Sequence, residues 1–456
     1  MQKTVVLNVV GMTPALLSHA PHLRALAERG GLRPISTITP AVTCSVQATF
    51  LTGRMPSDHG CVANGWYFRD LAEPMFWRQN NGLIQGDKIW HEARRRDPDF
   101  TCAKLFWWYN MHADVDWSVT PRPIYKADGS KVPDFYAWPS ELHGELRAKL
   151  GDFPLFRFWG PTADIVSSRW IAECAMHVYD TRKPTLTLVY LPHLDYNLQR
   201  LGPDHPGIAA DVAAIDEVCG KIIRKVEADG ACVIVLSEYG ITPVKGDVAI
   251  NRALRRAGWL VTRDELGEDK LDPGASDAFA LVDHQVAHVY VRRPELVPKV
   301  KALLEQLDGV EQVLDEDGKR AVGLDHERSG ELVAISQSDR WFSYYFWLDD
   351  ARAPDFARTV DIHRKPGYDP VELFIDPAIR LPKLTLGWKL LRKLCGMRTL
   401  MDVIPLDPSL VKGSHGRPTQ DPALGPLMIS SHADLLPKGS VDATDVHDLI
   451  LDHLFT

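Results

Sequence analysis

Two carboxylates in this 456-residue chain follow apolar stretches that have the composition of buried strands. The stretch 232–236 is rich in β-branched residues and leads through one serine to Glu238, and the stretch 185–191 is followed by Asp195. In open α/β sheets the ligand crevice lies just beyond the carboxyl ends of the strands. The pattern therefore predicts that both carboxylates face one crevice.

A hydroxyl group accompanies these carboxylates. Thr43 lies at or beside the start of the helix predicted for residues 45–52. Unpaired N–H groups and the helix dipole favour an anion at such a position, and a hydroxyl there is suited to attack phosphorus. Most threonines at helix starts are only caps, so the residue by itself decides little. Asn64 follows in an Asn-Gly pair, where its amide can donate to a phosphate oxygen or only mark a turn.

Three further polar residues lie in the same segments. Gln199 is one helical turn beyond Asp195, so their side chains share a face if that segment is helical. Tyr239 is next to Glu238, and His415 stands in a Gly-Ser-His-Gly segment that suits a contact with a ligand or a phosphate. Each segment alone is compatible with an ordinary loop, but all of them together in this order indicate one site.

Three other histidines are weaker candidates. His284 lies in a predicted hairpin loop and His363 in a polar loop, and both are placed to reach the cleft from an inserted cap. His288 lies close to His284 in the same hairpin. Histidines of hairpins and loops are more often surface residues, and that interpretation is favoured for these.

Strand-like stretches alternate with helical patterns along most of the chain. This alternation predicts an α/β fold with a doubly wound, mainly parallel sheet and helices on both faces. Short apolar runs are interpreted as core strands and longer amphipathic runs as helices. The strands are predicted at 4–10, 102–108, 185–191 and 232–236, and the helices at 45–52, 84–95, 167–179, 207–228, 249–257 and 441–454.

The length suits two or three domain-sized units, or one large core with an insertion. We assign residues 1–265 and 400–456 to the core, and residues 266–399 to an inserted α+β cap with a hairpin, a helix at 298–307 and antiparallel strands at 331–347. The core itself contains a Trp-rich insertion at about 67–161. Its loop-like part, 116–139, is interpreted either as a lid over the site or as aromatic packing of a surface excursion.

Composition narrows the class of protein. With 45% hydrophobic and 25% charged residues the chain is typical of soluble globular proteins, and its net charge of -8 argues against binding to a nucleic-acid polymer. Seven scattered cysteines without a C-x-x-C pair are typical of reduced thiols. We see no signal peptide and no stretch long enough for a membrane span, and we predict a cytoplasmic protein.

These segments resemble the alkaline phosphatase superfamily, and most closely its nucleotide pyrophosphatase/phosphodiesterase branch. The loop of Thr43 with residues 52–60 is similar to that family's nucleophile segment. Residues 195–203 are similar to its D-x-x-G-H-x-x-G-P motif, residues 237–243 to its S-D-H-G-M-T-P motif, and His415 to the histidine of its G-x-H-G motif. The resemblance covers residues 11–66, 186–260 and 413–456. It implies two divalent metals, usually zinc, and a threonine that forms a covalent phosphoryl intermediate.

Several positions depart from the family's pattern. Val10 replaces the aspartate after the first strand, Gln199 replaces a metal-binding histidine, and Glu238-Tyr239 replaces an Asp-His pair. Zinc is normally held by three or four nitrogen, sulfur or oxygen ligands. The second metal position no longer has them, so the resemblance implies one divalent ion rather than two.

The ligands implied for this ion are Asp195, Gln199, Glu238 and His415. A set made mostly of oxygen shifts the preference from zinc towards manganese or magnesium. In this one-ion site Glu238 would serve as the general base for Thr43.

Tyr239 and Asn64 would steady the phosphoryl oxygens of the substrate in such a site.

Three functional classes follow. The first is a phosphodiesterase- or pyrophosphatase-like hydrolase of a small-molecule phosphate ester. The second is a transferase of a phosphoryl or other group, and the third is a non-catalytic protein that binds a phosphate ligand. The retained polar residues favour the first two classes, and the missing metal ligands favour the last two. The sequence leaves the substrate and the oligomeric state open.

Overall fold

Five parallel strands form the centre of a nine-stranded sheet in the computed structural model, which describes residues 1–127 and 129–456. Antiparallel strands adjoin them on both sides, so the sheet is mixed but mainly parallel. This confirms the predicted α/β class. The strands lie in the order Val441–Asp442, Gly31–Ser36, Leu427–Ser430, Cys232–Leu236, Thr4–Val9, Leu186–Leu191, Cys102–Leu105, Trp117–Pro121 and Phe135–Trp138.

The three central strands of this sheet are buried along their whole length, as expected for parallel strands covered on both faces. Thr4–Val9 pairs with Leu186–Leu191 on one side and with Cys232–Leu236 on the other. In this register Val9 is opposite Leu191, and Asn8 is opposite Leu236. The carboxyl ends of the three strands therefore meet at one edge, where the candidate residues follow.

Helices cover both faces of the sheet. Ile165–Arg182 and Ile208–Ala228 pack together, and Thr43–Thr52 packs with the last helix, Val446–Phe455. The predicted helix at 84–95 begins only at Ile89, after a left-handed glycine at 86. The other helices are Pro21–Arg29, Pro56–His59, Ser140–Leu150, Leu155–Phe158, His193–Leu201, Ile250–Arg256, Val297–Glu305, Glu316–Ala321 and Pro382–Leu394.

The Trp-rich stretch contributes strands to the main sheet. Trp117–Pro121 pairs with Cys102–Leu105, and Phe135–Trp138 closes that edge of the sheet. The expectation of a loop-like segment at 116–139 was therefore wrong for these residues, because sheet pairing outweighs the local turn signals of proline and tyrosine. The strand predicted at 102–108 ends at Leu105, since Phe106 has a positive φ of 66°.

A second sheet of four strands lies in the segment assigned to the cap. Its order is Ala278–Asp283, Val286–Val291, Leu332–Ser336 and Val310–Leu314, and every pair is antiparallel. The first two strands are the predicted hairpin. The expected antiparallel run at 331–347 is only partly present, since Arg340–Phe342 pairs in parallel with the strand Gly246–Val248. The cap boundaries at 266 and 399 stay a prediction.

Short two-stranded ladders complete the fold. They are Gly65–Phe68 with Glu73–Phe76, Ile124–Tyr125 with Lys131–Val132, Thr242–Pro243 with Gly413–Ser414, and Thr262–Glu265 with Glu268–Leu271. Across the two described ranges, no helix combines the length and apolar character that crossing a bilayer requires.

Gly240 is required by the close approach of another backbone segment. Its φ is not among the positive values, but a Cβ atom built there would lie 1.7 Å from the carbonyl oxygen of Leu424. We expect Gly240→Ala to lower the free energy of unfolding by about 3 kcal/mol, because backbone rather than a side chain must move. Chemical denaturation measures this change.

Gly144→Ala is the matched control. Gly144 lies exposed within Ser140–Leu150, and a Cβ atom there meets nothing within 4 Å. Alanine should raise the free energy of unfolding by about 0.5–1 kcal/mol at such a helix position. Equal stability of the two variants would contradict the assigned role of the Leu424 contact.

Candidate active site

Thr43, Tyr239 and Asp195 form a continuous hydrogen-bonded chain at the carboxyl edge of the central strands. The Thr43 Oγ1 and the Tyr239 hydroxyl are 3.0 Å apart, and the Tyr239 hydroxyl donates to Asp195 Oδ1 over 3.3 Å. Thr43 is the first residue of its helix, one position beyond the cap residue. Where the resemblance implies a metal-binding histidine, this chain has Tyr239. Its phenol links the Thr43 hydroxyl to the Asp195 carboxylate.

Asp195 is held on its other side by Gln199. The Gln199 Nε2 donates to Asp195 Oδ2 over 2.9 Å, so the two side chains share a helix face as the sequence predicts. Burial raises the pKa of Asp195 to about 7, although the hydrogen bonds from Gln199 and Tyr239 oppose the shift. A carboxylate with this pKa can accept a proton near neutral pH.

Tyr368 of the cap segment completes this side of the site. Its hydroxyl donates to Gln199 Oε1 over 2.9 Å. The loop that carries it is anchored by a buried ammonium group, since Lys365 Nζ lies 2.7 Å from both Asp369 Oδ2 and Glu372 Oε1. The sequence analysis assigned no role to Tyr368.

Glu238 is fully buried and is held by two side-chain amides. Asn8 Nδ2 and Gln47 Nε2 donate to its Oε1 over 2.5 and 2.6 Å. Burial raises the pKa of Glu238 to about 8, although Gln47, Asn8 and Thr43 oppose the shift. Both amides bind the same oxygen, and Oε2 has no hydrogen-bond partner in the described structure. In the protonated form the proton therefore belongs on Oε2.

Gln47 is itself fixed by the loop that follows Cys102–Leu105. Its Oε1 accepts the backbone N–H of Trp108 over 2.7 Å. Lys104 stabilises this loop, because its buried ammonium donates to the carbonyl oxygens of Trp108 and Tyr109 over 2.8 and 2.7 Å. Burial lowers the pKa of Lys104 to about 7. The hydrogen bonds that hold Glu238 therefore depend on the strands Thr4–Val9, Cys102–Leu105 and Cys232–Leu236 and on the helix Thr43–Thr52.

Two imidazole rings pack next to the hydroxyl chain. The His415 ring stacks on Tyr239 at a centroid distance of 3.5 Å, and the His284 ring lies 3.7 Å from His415. His415 Nδ1 donates to the carbonyl oxygen of Ala41 over 2.8 Å, which leaves Nε2 without a partner. Burial lowers the pKa of both imidazoles well below the usual value, so both are neutral.

Asp283 connects the hairpin 278–291 to the start of the helix Thr43–Thr52. Its Oδ1 lies 2.7 Å from His284 Nδ1, and its two oxygens accept the side-chain and backbone N–H groups of Asn64 over 3.0 and 2.7 Å. Asn64 Oδ1 in turn accepts the backbone N–H of Cys44 over 2.9 Å. Asn64 is therefore occupied in positioning the helix start, and its contact with a phosphoryl oxygen stays a prediction.

The three histidines predicted as weaker candidates lie in different environments. The preferred surface interpretation was wrong for His284, which is 2% exposed and reaches the site from the two-residue hairpin turn. It was also wrong for His288, which is 1% exposed and contacts the carbonyl oxygen of Val62 instead of the site. His363 is partly buried, and its Nδ1 lies 3.3 Å from the carbonyl oxygen of Phe76.

The predicted metal ligands do not form one coordination shell in this arrangement. Asp195 Oδ1 lies 3.9 Å from His415 Nε2, whereas Glu238 is held by Asn8 and Gln47 on the strand side of the site. Within residues 1–127 and 129–456 no three His, Cys, Asp or Glu side chains are grouped so that they could hold an ion. The donor set therefore does not fit the two-metal centre that the resemblance implies.

Four residues of the candidate site were not predicted from the sequence, although the spacing of two of them relative to predicted site positions could have indicated them. Asn8 is two residues before Val10 on the same strand face, and Gln47 is four residues after Thr43 on the same helix face. Either spacing could have identified a polar residue in place of a metal ligand that the resemblance implies and this chain does not have. Asp283 and Tyr368 carried no such signal, because only the packing of the cap brings them to the core.

The pH dependence of stability tests the state of Glu238. The folded protein keeps this carboxyl protonated up to about pH 8, whereas its ordinary pKa is 4.5. The free energy of unfolding should therefore fall as the pH rises between these values. We expect Glu238→Gln to reduce the fall between pH 5 and pH 8 by about 3 kcal/mol, measured by chemical denaturation.

The exposed Glu316 supplies the control, and Glu316→Gln should leave the pH dependence unchanged. If Glu238→Gln shows the same slope as the wild type, Glu238 is ionised in the folded protein and the assignment fails.

Comparisons with known proteins agree with this architecture. The fold is similar to that of murine ectonucleotide pyrophosphatase/phosphodiesterase 5, solved as an inactive form in complex with AMP, with a TM-score of 0.61 and 14% identity over 100% of this chain and 95% of that chain. It is also similar to phosphonoacetate hydrolase from Sinorhizobium meliloti in complex with phosphonoacetate, with a TM-score of 0.65 and 14% identity over 99% and 96% of the two chains.

A curated relative from Schizosaccharomyces pombe is described as an uncharacterized pyrophosphatase/phosphodiesterase. It is 24% identical over 234 residues, which are 49% of this chain and 41% of the relative, so the match spans less than half of that protein's length. A family model described as type I phosphodiesterase/nucleotide pyrophosphatase matches residues 4–369. This protein belongs to the type I phosphodiesterase/nucleotide pyrophosphatase family, in the alkaline phosphatase superfamily.

Proposed function

We propose that this protein hydrolyses a small-molecule phosphate ester, with Thr43 as the nucleophile. The observation that supports this most directly is the chain of hydrogen bonds from Thr43 through Tyr239 to Asp195. A threonine hydroxyl attacks poorly unless a base removes its proton. Here the base is available through one intervening hydroxyl group.

In this proposal Asp195 is the proton acceptor. Thr43 Oγ1 forms a bond to phosphorus as its proton passes to Tyr239, and Tyr239 gives its own proton to Asp195. The bond from phosphorus to the leaving oxygen breaks, and that oxygen departs with its electron pair. The pKa of Asp195, raised to about 7 by burial, suits a base that works near neutrality.

In this proposal Glu238 acts as a hydrogen-bond donor, in place of the general base that the sequence predicts. Its protonated Oε2 can donate a hydrogen bond to a phosphoryl oxygen, because its Oε1 already accepts from Asn8 and Gln47. A buried neutral carboxyl is an effective donor to developing negative charge. It also avoids the repulsion that a carboxylate would exert on an anionic substrate.

The neutral imidazoles suit the second half-reaction. His415 presents an unpartnered Nε2 next to Tyr239, and the Nε2 of His284 is likewise without a partner among the described residues. Either Nε2 can accept a proton from a water molecule as the water oxygen bonds to the phosphorus of the phosphothreonine, and then release that proton to solvent, from which the leaving oxygen of the first step takes up a proton. Asp195 then returns its proton through Tyr239 to the Thr43 oxygen as the bond to phosphorus breaks.

The rings near the site fit an ester with an aromatic or apolar group. Trp77 lies 4.6 Å from Trp108 and 6.1 Å from Tyr368, and Trp159 lies 5.6 Å from Tyr368, measured between ring centroids. We also propose a cytoplasmic location. The seven cysteines support it, since all are free thiols and six of them are buried.

Turnover of a p-nitrophenyl phosphodiester and of the corresponding monoester tests the nucleophile. Thr43→Ala should abolish turnover, and Thr43→Ser should retain part of it. Tyr239→Phe should lower kcat by about 10²- to 10⁴-fold with a smaller effect on KM, because it removes the proton relay and keeps the ring. Thr181→Ala, at an exposed helix position, is the control and should behave as the wild type. Wild-type turnover that does not depend on Thr43 would reject this mechanism.

Chelation and elemental analysis distinguish the hydrogen-bonded relay from the alternative mechanism with one bound ion. The hydrogen-bonded relay requires that turnover survive treatment with EDTA. Loss of turnover, recovered with manganese, magnesium or zinc at about one equivalent, would instead support the ion predicted at Asp195, Gln199, Glu238 and His415. Binding of phosphate without any turnover would support the non-catalytic class, and transfer to an added alcohol in place of water would support the transferase class.

The pH profile of kcat should be bell-shaped. Activity rises through about pH 7 as Asp195 loses its proton, and falls above about pH 8 as Glu238 loses the proton that it donates to substrate. Glu238→Gln keeps a donor at this position, so it should remove the alkaline limb and retain the acid limb. An unchanged alkaline limb in Glu238→Gln would show that another group is responsible.

A further inference from the structure

The helix Pro382–Leu394 presents an apolar face to solvent. None of its residues is buried, and Leu384, Trp388 and Leu394 are 68%, 62% and 85% exposed. Leu384, Trp388 and Leu391 recur at intervals of four and three residues, so they lie on one side of the helix. Large apolar side chains exposed together in this way mark an interaction surface.

The exposed apolar residues of the whole structure are concentrated here. Of the 21 large hydrophobic side chains that are exposed in the described chain, eight lie within twenty residues of sequence. They are Leu381, Leu384, Trp388, Leu390, Leu391, Leu394, Met397 and Leu400. We call this surface the 381–400 patch.

The opposite side of the helix is attached to the protein. Leu386 is partly buried and packs against a small cluster that includes Trp341 and Val371. Leu386 is two residues from both Leu384 and Trp388, which places it about 160–200° away around the helix axis. The helix thus lies on the surface with its apolar side outward, the reverse of an ordinary surface helix.

The charge of the same segment is strongly positive. Residues 377–401 contain six basic residues and no Asp or Glu, in a chain whose net charge is -8. Lys389 pairs with Asp402, and the other five make no ion pair with the described residues. The basic residues are Arg380, Lys383, Lys389, Arg392, Lys393 and Arg398.

We propose that the 381–400 patch binds the surface of an anionic lipid bilayer, with Pro382–Leu394 lying in the plane of the interface. Leucine and tryptophan side chains then enter the headgroup and acyl boundary, and the lysine and arginine side chains contact the lipid phosphates. A basic amphipathic helix with this composition is typical of interfacial attachment. The protein is attached to the membrane without spanning it.

Charge distinguishes this occupant from a second copy of the chain. Two copies that met through the 381–400 patch would bring twelve cations together, six from each. Like charges placed together oppose association, whereas a negatively charged surface neutralises them. The proposal is independent of the catalytic mechanism, because none of the candidate active-site residues lies in this segment.

Cosedimentation of the full-length protein with vesicles tests the proposal. The vesicles contain phosphatidylcholine alone or phosphatidylcholine mixed with phosphatidylglycerol. Partition onto the anionic vesicles should be at least about tenfold stronger and should weaken as salt is raised. The triple variant Leu384→Ser, Trp388→Ser, Leu391→Ser should lose at least about tenfold of this partition.

A second variant and a matched control make the result specific. The charge variant Lys383→Gln, Lys393→Gln, Arg398→Gln should bind anionic vesicles more weakly with an unchanged melting temperature. The control Leu71→Ser, Leu266→Ser, Leu348→Ser removes three exposed leucines outside the patch and should bind as the wild type.

Three outcomes would overturn the proposal. The first is no partition of the wild type onto anionic vesicles, and the second is equal partition onto both kinds of vesicle. The third is concentration-dependent self-association that the Leu384, Trp388 and Leu391 substitutions abolish, measured by sedimentation velocity without vesicles. That result would assign the patch to contacts between copies of the chain.

Discussion

The buried carboxyl group of Glu238 is the constraint on which the site depends. It is removed from water at the end of a central strand, and no cationic side chain is paired with it in the described structure. An ionised carboxylate without a positive partner is costly in such a place, so the group is held as the neutral acid at ordinary pH. Asn8 and Gln47 fix its orientation, and Lys104 fixes the loop that orients Gln47. The interior strands, the helix Thr43–Thr52 and the loop after Cys102–Leu105 are therefore connected through one carboxyl group.

The same constraint explains why this site differs from the two-metal pattern of its superfamily. Tyr239 stands where the resemblance implies a metal-binding histidine, and Val10 stands where it implies an aspartate. Amides and a phenol donate hydrogen bonds, so they suit a neutral acid and a hydroxyl chain better than they suit a cation. The polar groups of the candidate site form a connected network, in which Glu238 Oε2 and the Nε2 atoms of His284 and His415 have no partner among the described residues.

The segment 266–399, predicted to be a cap, contributes residues to the candidate site. Asp283 and His284 come from a hairpin turn, and Tyr368 comes from a loop anchored by the buried Lys365. These residues contact Asn64, His415 and Gln199 of the core directly. Because the polar groups of cap and core complete one another's hydrogen bonds, displacement of either would leave buried polar atoms unsatisfied. The site is therefore shared between the core and the inserted segment.

The sequence by itself determined the α/β core and indicated most residues of the candidate site. Short apolar runs predicted the buried central strands, and the polar segments after these strands and at one helix start indicated that Thr43, Asp195, Glu238, Tyr239 and His415 belong to one site. Sequence reasoning failed where pairing partners are distant, as in the edge strands Trp117–Pro121 and Phe135–Trp138. The tertiary structure alone decided the partners of each group: that Tyr239 bridges Thr43 and Asp195, that Glu238 is held by amides, and that His284 is buried. The physical reason is that burial and hydrogen-bond geometry, which set protonation, arise from packing between segments far apart in the chain.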